Sequence, residues 1–571
     1  MPKKERWLVC SAWPYINAIP HLGNMIGSVL SADVYARYLR MRGHEVVFVS
    51  GSDEHGTPIE IEAIKRKINP KELTDKNHEI VKSLFERWEI SFDNYTRTEN
   101  EVHKNFVKDF YLKVYENKYV FNKEVEMPYC PRDEIFLPDR FIIGTCPYCG
   151  YENARGDQCE HCGRLLNPTL LVGARCAICG AKPQIRKTLH WFFDLPKLAD
   201  EIKKYIENNK NLPENARNMS LAMIKEGLEP RSLTRDNKWG IPAPFPGAEG
   251  KTIYVWMEAV LGYISATIEY FKKKGREEDW KQYWFSRDTK SVYFIGKDNI
   301  PFHTIIFPAL LLASKEPYVL PWSVASTEYL LFEGDKFSKS RRWGIWIDEA
   351  LELLPADYWR FALILYRPEV RDINFSWKGL QESINVYLND IIGNFIHRTL
   401  TLIWRFFEGQ VPSVENPDKY DEQLLNSIKK TKRKAGELIE KFRFREALMQ
   451  IIELAKMGNK YLNDKQPWAL VKTDKAKAGT VLGVAYRIIY ALAILLAPFI
   501  PQSAQRIWEL IGQEGEVSKA LWEIAGEAVS HPIGIKKPTP VFFKISDRDL
   551  KNLIERLEEI REKGLVPSAH M

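Results

Sequence analysis

Two stretches far apart in the chain carry residues suited to phosphate: His21-Leu22-Gly23-Asn24 and Lys336-Phe337-Ser338-Lys339-Ser340. The first follows the apolar run Trp7 to Ala12 and opens an amphipathic stretch from Met25 to Met41. That puts its side chains at a helix N-terminus, where unpaired N–H groups and the helix dipole favour anions. The second sets two lysines at i and i+3 in a small polar loop, able to reach charge that builds on phosphate oxygens during transfer. Neither is a Walker loop. Singly, a His-x-Gly-x turn is more often structural and a Lys-x-x-Lys pair more often a solvated surface. As an ordered pair they read as the two halves of a split ATP site.

A second chemistry lies in the cysteines. Of eight, all but Cys10 fall between residues 130 and 179, and six form the pairs Cys146/Cys149, Cys159/Cys162 and Cys176/Cys179. Cys-x-x-Cys is zinc-knuckle spacing, and Gly150, Gly163 and Gly180 supply the tight turns that aim two thiolates at one ion. The short gap between the first two pairs makes Cys146, Cys149, Cys159 and Cys162 one tetrahedral site. The third pair finds partners upstream in Cys130 and Asp133, where the same spacing ends in a carboxylate. One Zn2+ is expected, or two if Cys130, Asp133, Cys176 and Cys179 also bind. Four protein ligands close the shell, so the expected role is structural. A disulfide framework is the alternative, disfavoured for clustered pairs in a chain expected to be cytoplasmic.

The elements that must position these residues follow from the pattern along 571 residues, a length for three or four domains. The composition, 45% hydrophobic and 27% charged, is globular, and a net charge of +7 permits a polyanionic partner without demonstrating one. Met1 to Arg6 runs directly into the first strand, with no leader expected. The most apolar segment, Val481 to Pro501, contains Arg487 and reads as a buried bundle helix, so no membrane is expected.

Residues 1–125 read as strand, helix, strand and helices, with Glu45 to Val49 a strand and Thr74 to Trp88 helical: a Rossmann-like half. The knuckles occupy 126–190. A second half, 191–325, has strand-like Thr252 to Trp256 and Ser291 to Ile295 completing a parallel sheet. The Lys336 loop lies in 326–380, an all-helical bundle in 381–545, and a tail in 546–571 with a helix from Asp547 to Lys563. The fold class is thus an α/β Rossmann-like catalytic domain with an inserted zinc-knuckle domain, followed by an all-α bundle.

With these residues in place the chain resembles the class I aminoacyl-tRNA synthetases, whose HIGH and KMSKS signatures the two phosphate stretches match. Asn24 stands where the first signature ends in histidine. It can donate a neutral hydrogen bond to phosphate but carries no proton's charge, which leaves His21 the greater catalytic weight. The likeness is strongest to the methionyl branch, through Ala12-Trp13-Pro14-Tyr15, Gly51 to Pro58, Tyr254 to Ala259 and Phe294 to Asn299.

The resemblance implies catalysis by His21, Asn24, Lys336 and Lys339, and an ATP site of those four with Gly23, Gly296 and Asp298. It implies a methionine pocket of Ala12, Trp13, Tyr15, Asp53, Trp256, Ala259, Tyr263, Asn299, His303 and Phe307. Asp53 would hold the ammonium, and Trp13 stands where other members often carry leucine. Arg235 would clamp near the acceptor end or sit in a salt bridge. In the bundle, Asn394, Arg398 and Trp468 match the family's anticodon-binding positions, with Trp468 offering a face for an unstacked base. Partners implied are ATP with Mg2+, L-methionine and tRNA(Met). Some members of the family add a C-terminal oligonucleotide-binding domain that dimerises them; the stretch after about 545 is too short to be one, so a monomer is expected, with a separate tRNA-binding protein as a further expected partner. Two rivals stand beside this reading. One is a class I synthetase for another aliphatic amino acid, disfavoured because the insert is too short for an editing domain. The other is a noncatalytic zinc-dependent RNA-binding protein on the same scaffold.

Overall fold

The computed structural model describes residues 4–156, 159, 161–162, 164, 166–338, 341–529 and 532–563. Gly163, Lys339, Ser340 and the final segment from Gly564 lie outside the described residues. Five parallel strands form the central sheet: β1 (Arg6–Ser11), β2 (Glu45–Ser52), β3 (Asn94–Arg97), β4 (Thr289–Gly296) and β5 (Ser323–Thr327), in the order β5-β4-β1-β2-β3. Leu8, Val9 and Cys10 on β1 are fully buried, as a central strand covered on both faces requires. The chain leaves β1 for β2 on one side and returns as β4 on the other. Such a reversal opens a crevice beyond the C-terminal strand ends, here at Ser11 paired with Phe294.

One expected strand is corrected. Thr252–Ile253 pairs antiparallel with Thr234–Arg235, outside the main sheet, and Val255–Ala259 is helical. Backbone bonds from Tyr254 N to Leu233 O and from Met257 N to Tyr254 O end the extended run. Helical spacing then sets Trp256 and Ala259 on one face, which a strand would have split.

The insert is carried on a long antiparallel ribbon, Val120–Cys130 against Gln184–Phe193, in register from Val120/Phe193 to Tyr129/Gln184. At its far end a small core gathers Cys130, Leu137, Phe141, Ile142 and Cys146. Beyond the sheet, helices Asn394–Phe407, Lys419–Glu440, Phe444–Lys465, Lys475–Leu496 and Pro501–Leu510 build the bundle. Lys475–Leu496 is long and apolar enough to cross a membrane, but it is buried as the core helix of the bundle.

Arg360, fully buried, fastens the bundle to the helices that pack on the sheet. Its guanidinium donates to Asp33 (2.7 Å), to Trp88 O and to the Pro498 and Phe499 carbonyls. Burial would raise the Asp33 carboxyl, but Arg37 and Arg360 outweigh it and hold it at about 2. With both partners saturated, this buried pair avoids the cost of an uncompensated charge.

Candidate active site

At the crevice lies a cavity of about 700 Å³, lined by Ala12 to Tyr15 just after β1, the His21 turn, Gly296 at the end of β4 and residues of the segment Thr327 to Phe337. His21 caps the helical run that begins at Leu22: its Nδ1 accepts from Asn24 N, and Asn24 Oδ1 accepts from His21 N, both at 3.2 Å. This reciprocal cap explains how asparagine serves at position 24. With Oδ1 occupied by the backbone, the amide N–H₂ is the group left for a ligand. A Cβ on Gly23 would lie 3.1 Å from the His21 ring and 3.3 Å from Phe337, so any side chain there would push against both rings. The helix then widens over Met25–Val29, where Thr327 Oγ1 donates to Gly27 O and Ser31 Oγ to Ile26 O.

The second signature meets the first directly. Phe337 stacks on His21, and Lys336 lines the same cavity with Nζ 4.8 Å over the Tyr329 ring. Tyr329 Oη donates to the Asp298 carboxylate at 2.6 Å, orienting the acid at the cavity edge. Gly296 also lines the cavity. Neither Tyr329 nor the stacking of Phe337 was expected from sequence, because no local spacing marks them.

Nine of the ten expected pocket residues line the cavity: Ala12, Trp13, Tyr15, Asp53, Trp256, Ala259, Tyr263, Asn299 and His303. Phe307 does not; it is fully buried behind the wall, against Tyr263 and Tyr293. His303 Nδ1 faces the Asn299 carbonyl (2.9 Å), so it carries the proton, and Nε2 accepts from Tyr263 Oη (2.8 Å). Burial pushes this imidazole down to about 4, which makes the wall neutral at physiological pH. Polarizable aromatic walls without charge suit a thioether or other apolar side chain.

Trp13 fits between two glycines. A Cβ on Gly51 would come within 2.7 Å of its ring, and one on Gly262 within 2.6 Å. The pairing of a large residue with two absent side chains was in the sequence, but only the fold brings them together.

Asp53 is buried, and its Oδ1 has no hydrogen-bond partner among the described residues. Burial, with Glu258 nearby, raises its carboxyl well above the usual range. Beside it His55 lies between Glu258 (Nδ1, 2.5 Å) and Glu99 (Nε2, 2.7 Å). Burial would push His55 down, but those carboxylates outweigh it and raise it to about 10, giving a fixed cation under an acidic wall. An unpartnered buried carboxyl oxygen on a residue that lines the cavity calls for a cationic ligand group.

Arg235 is in a salt bridge: Nε reaches Asp139 of the insert at 3.0 Å, and the guanidinium lies 3.7 Å over Tyr254. Asp139 and Arg140 line the cavity as well, so the insert supplies part of its wall.

The cysteines gather into two clusters, Cys146, Cys149, Cys159 and Cys162, and Cys130, Asp133, Cys176 and Cys179, with the ligand atoms of each within 4.8 Å of one another. Sγ separations of 3.9 Å (Cys146/Cys162) and 3.6 Å (Cys149/Cys159) match the ~3.8 Å that a tetrahedron with Zn–S near 2.3 Å requires. In the second cluster Asp133 Oδ2 is 3.2 Å from Cys130 Sγ and 3.1 Å from Cys176 Sγ. Both donor sets fit a metal.

In the bundle, Arg398 donates to Asn463 Oδ1 (2.9 Å) and lies 5.6 Å over the Trp468 ring; Asn394 is exposed one turn earlier. The three expected residues therefore share one surface.

Residues 7–400 match the family model described as tRNA synthetases class I (M), and 411–562 that of the anticodon binding domain of methionyl tRNA ligase. The methionine–tRNA ligase of Thermofilum pendens is 60% identical over 98% of each chain, and that of Korarchaeum cryptofilum 57% over 99% of each. A solved structure, Mycobacterium tuberculosis methionyl-tRNA synthetase in complex with methionyl-adenylate, superposes with a TM-score of 0.78 at 23% identity, covering 94% of this chain and 99% of that one.

Proposed function

The chain belongs to the methionyl branch of the class I tRNA synthetases, and from that premise we propose how its cavity performs the reaction. The activity is ATP-dependent ligation of L-methionine to tRNA(Met), through methionyl-AMP with release of pyrophosphate. The observation that carries the assignment of roles is the meeting, in one cavity, of an unpartnered buried Asp53 oxygen, a neutral aromatic wall and the His21 and Lys336 turns.

No nucleophilic side chain is needed. The methionine carboxylate attacks the α-phosphorus of ATP and pyrophosphate leaves; a ribose hydroxyl at the tRNA 3′ end then attacks the carbonyl carbon of the mixed anhydride, forming the ester and releasing AMP. The protein supplies placement and charge. Asp53 takes the ammonium, while Tyr263 and His303 meet the thioether end. His21 and the Asn24 amide contact phosphate oxygens, Asp298, held by Tyr329, accepts from the ribose, and Lys336 and Lys339 attend the leaving pyrophosphate. Losing one such contact costs about 3–4 kcal/mol of barrier, a hundredfold or more in rate.

Mg2+ carried with ATP would neutralise part of the triphosphate charge. Zn2+ held by the cysteine clusters would keep the insert in shape, and with it the Asp139–Arg235 contact at the cavity wall. Asn394, Arg398 and Trp468 form the anticodon surface. A separate tRNA-binding protein is proposed as an accessory partner, and the cytoplasm as the site of action, where thiolates stay reduced for metal binding.

The test is ATP–pyrophosphate exchange with each of the twenty amino acids supplied singly. Exchange with methionine alone is expected; exchange with another aliphatic residue instead, or with none, would overturn the reading.

A further inference from the structure

We propose that Arg561, in the last turn of the tail helix Asp547–Lys563, is a positioning residue for adenylate formation: it anchors the segment Gly344 to Glu349, and through it the Phe337 ring against His21. The inference rests on the reading of the cavity as the adenylation site.

The Arg561 guanidinium grips Glu349 with both prongs, Nε to Oε1 and Nη2 to Oε2, each at 2.8 Å, and Nη2 also donates to Gly344 O at 2.6 Å. Glu349 is 3% exposed, so losing Arg561 would leave a buried carboxylate without its counter-charge. The same Glu349 Oε2 accepts from Trp346 N, capping the helix Ile347–Leu353. Trp346 pairs backbone to backbone with His21, through Leu22 N to Ile345 O and Ile347 N to Pro20 O, both 3.0 Å.

Gly344 closes the other arm. Its φ of +132° suits only glycine, and Phe337 fills the space where its side chain would stand. Ser338 and Trp343 exchange both backbone hydrogen bonds at 2.9 Å, joining the Lys336 strand to the Gly344 anchor. Bonded or packed groups thus run without a break from Arg561 to both signatures.

The tail helix is otherwise held by buried Leu557 and Ile560, by Leu550 and Leu553 packed against the core, and at its start by Gln381 donating to Asp547 Oδ1 (2.9 Å). Among the described residues its other ion pairs, Lys551–Glu555 and Lys563–Glu559, run along its own surface, so Arg561 is its one charged tie to the Gly344 to Glu349 segment. A bidentate arginine is the one side chain that can hold a carboxylate and a carbonyl in fixed relation; lysine, a point charge, cannot.

The test measures three quantities in the full chain: kcat of methionine-dependent exchange, methionine Kd by equilibrium dialysis, and the rate of tryptic cutting after Arg341 and Arg342. Arg561→Ala is expected to lower kcat about tenfold or more, as misplacement of a catalytic turn does, with methionine Kd held within about twofold. Cutting should be faster. Glu349→Gln should reproduce both effects, Arg561→Lys should fall between, and Lys551→Ala should match wild type. Should Arg561→Ala fail to fold, Arg561→Lys and Glu349→Gln decide.

An unchanged kcat, or a loss of methionine affinity in step with kcat, would overturn the inference. A wild-type chain that shows no methionine-dependent exchange would overturn the reading of the cavity itself, and the tryptic rates would still report whether Arg561 anchors the segment.

Discussion

The rings of His21 and Phe337 lie stacked, 4.5 Å between centroids and 12° from parallel, so that the two phosphate-handling stretches touch before any ligand is placed between them. His21 thereby has its plane fixed by the loop that carries Lys336. Catalytic geometry on one side of the cavity depends on the loop of the other.

Removing the ring should loosen that plane. Such a stack is worth about 0.5–1.5 kcal/mol, so Phe337→Ala should slow exchange roughly two- to tenfold while methionine Kd stays constant. Stopped-flow measurement of adenylate formation checks this. No change in rate would make the stack incidental.

Asp53 predicts a proton signature. Burial, with Glu258 nearby, raises its carboxyl, so below that raised value the ligand-free carboxyl carries a proton that the substrate ammonium displaces. Methionine binding should release a proton and strengthen as pH rises toward the raised value. Calorimetry in two buffers of different ionisation enthalpy measures that release. Asp53→Asn should abolish the release and weaken binding by about 1.5–3 kcal/mol, the usual worth of a hydrogen bond to a charged group.

The metal content is countable. Two zinc ions per chain are expected, falling to one in Cys176→Ser. About one per chain, unaffected by that substitution, would reduce the second cluster to a thiol and carboxylate contact.

Trp13 and Gly262 should be coupled. Gly262→Ala pushes a methyl into the Trp13 ring, an overpacking that costs about 1–3 kcal/mol. Trp13→Leu in the same chain should recover most of it, and the non-additivity, read from melting temperatures, reports the contact. Additive losses would mean the ring moves aside freely.

At the other end, Trp468→Ala should leave exchange intact and depress aminoacylation of tRNA. Base stacking is worth roughly 1–3 kcal/mol per base, so a loss of about tenfold in kcat/KM for tRNA is expected. Unchanged aminoacylation would assign the ring to packing.

Much of this architecture was legible in the residues themselves. Continuous apolar runs such as Trp7 to Cys10 mark strands covered on both faces, and Cys-x-x-Cys spacing marks metal knuckles, because both signals are local and survive in one dimension. The tail helix was read at its observed bounds for the same reason, its periodic charge leaving no other element to form. Thr252 to Trp256 misled, since a β-branched and aromatic run is also what a cavity wall needs; backbone bonds to Ile241 and Leu233 hold its first residues extended outside the main sheet, and Met257 N to Tyr254 O starts the helix after Tyr254. What tertiary structure alone decided are the contacts between residues remote in sequence: Phe337 on His21, Tyr329 on Asp298, Trp13 between Gly51 and Gly262, and Arg561 on Glu349. Each depends on how distant segments meet, and no periodicity along the chain encodes that meeting. Residue types set which chemistry was available, and packing set which of those groups could act on one another.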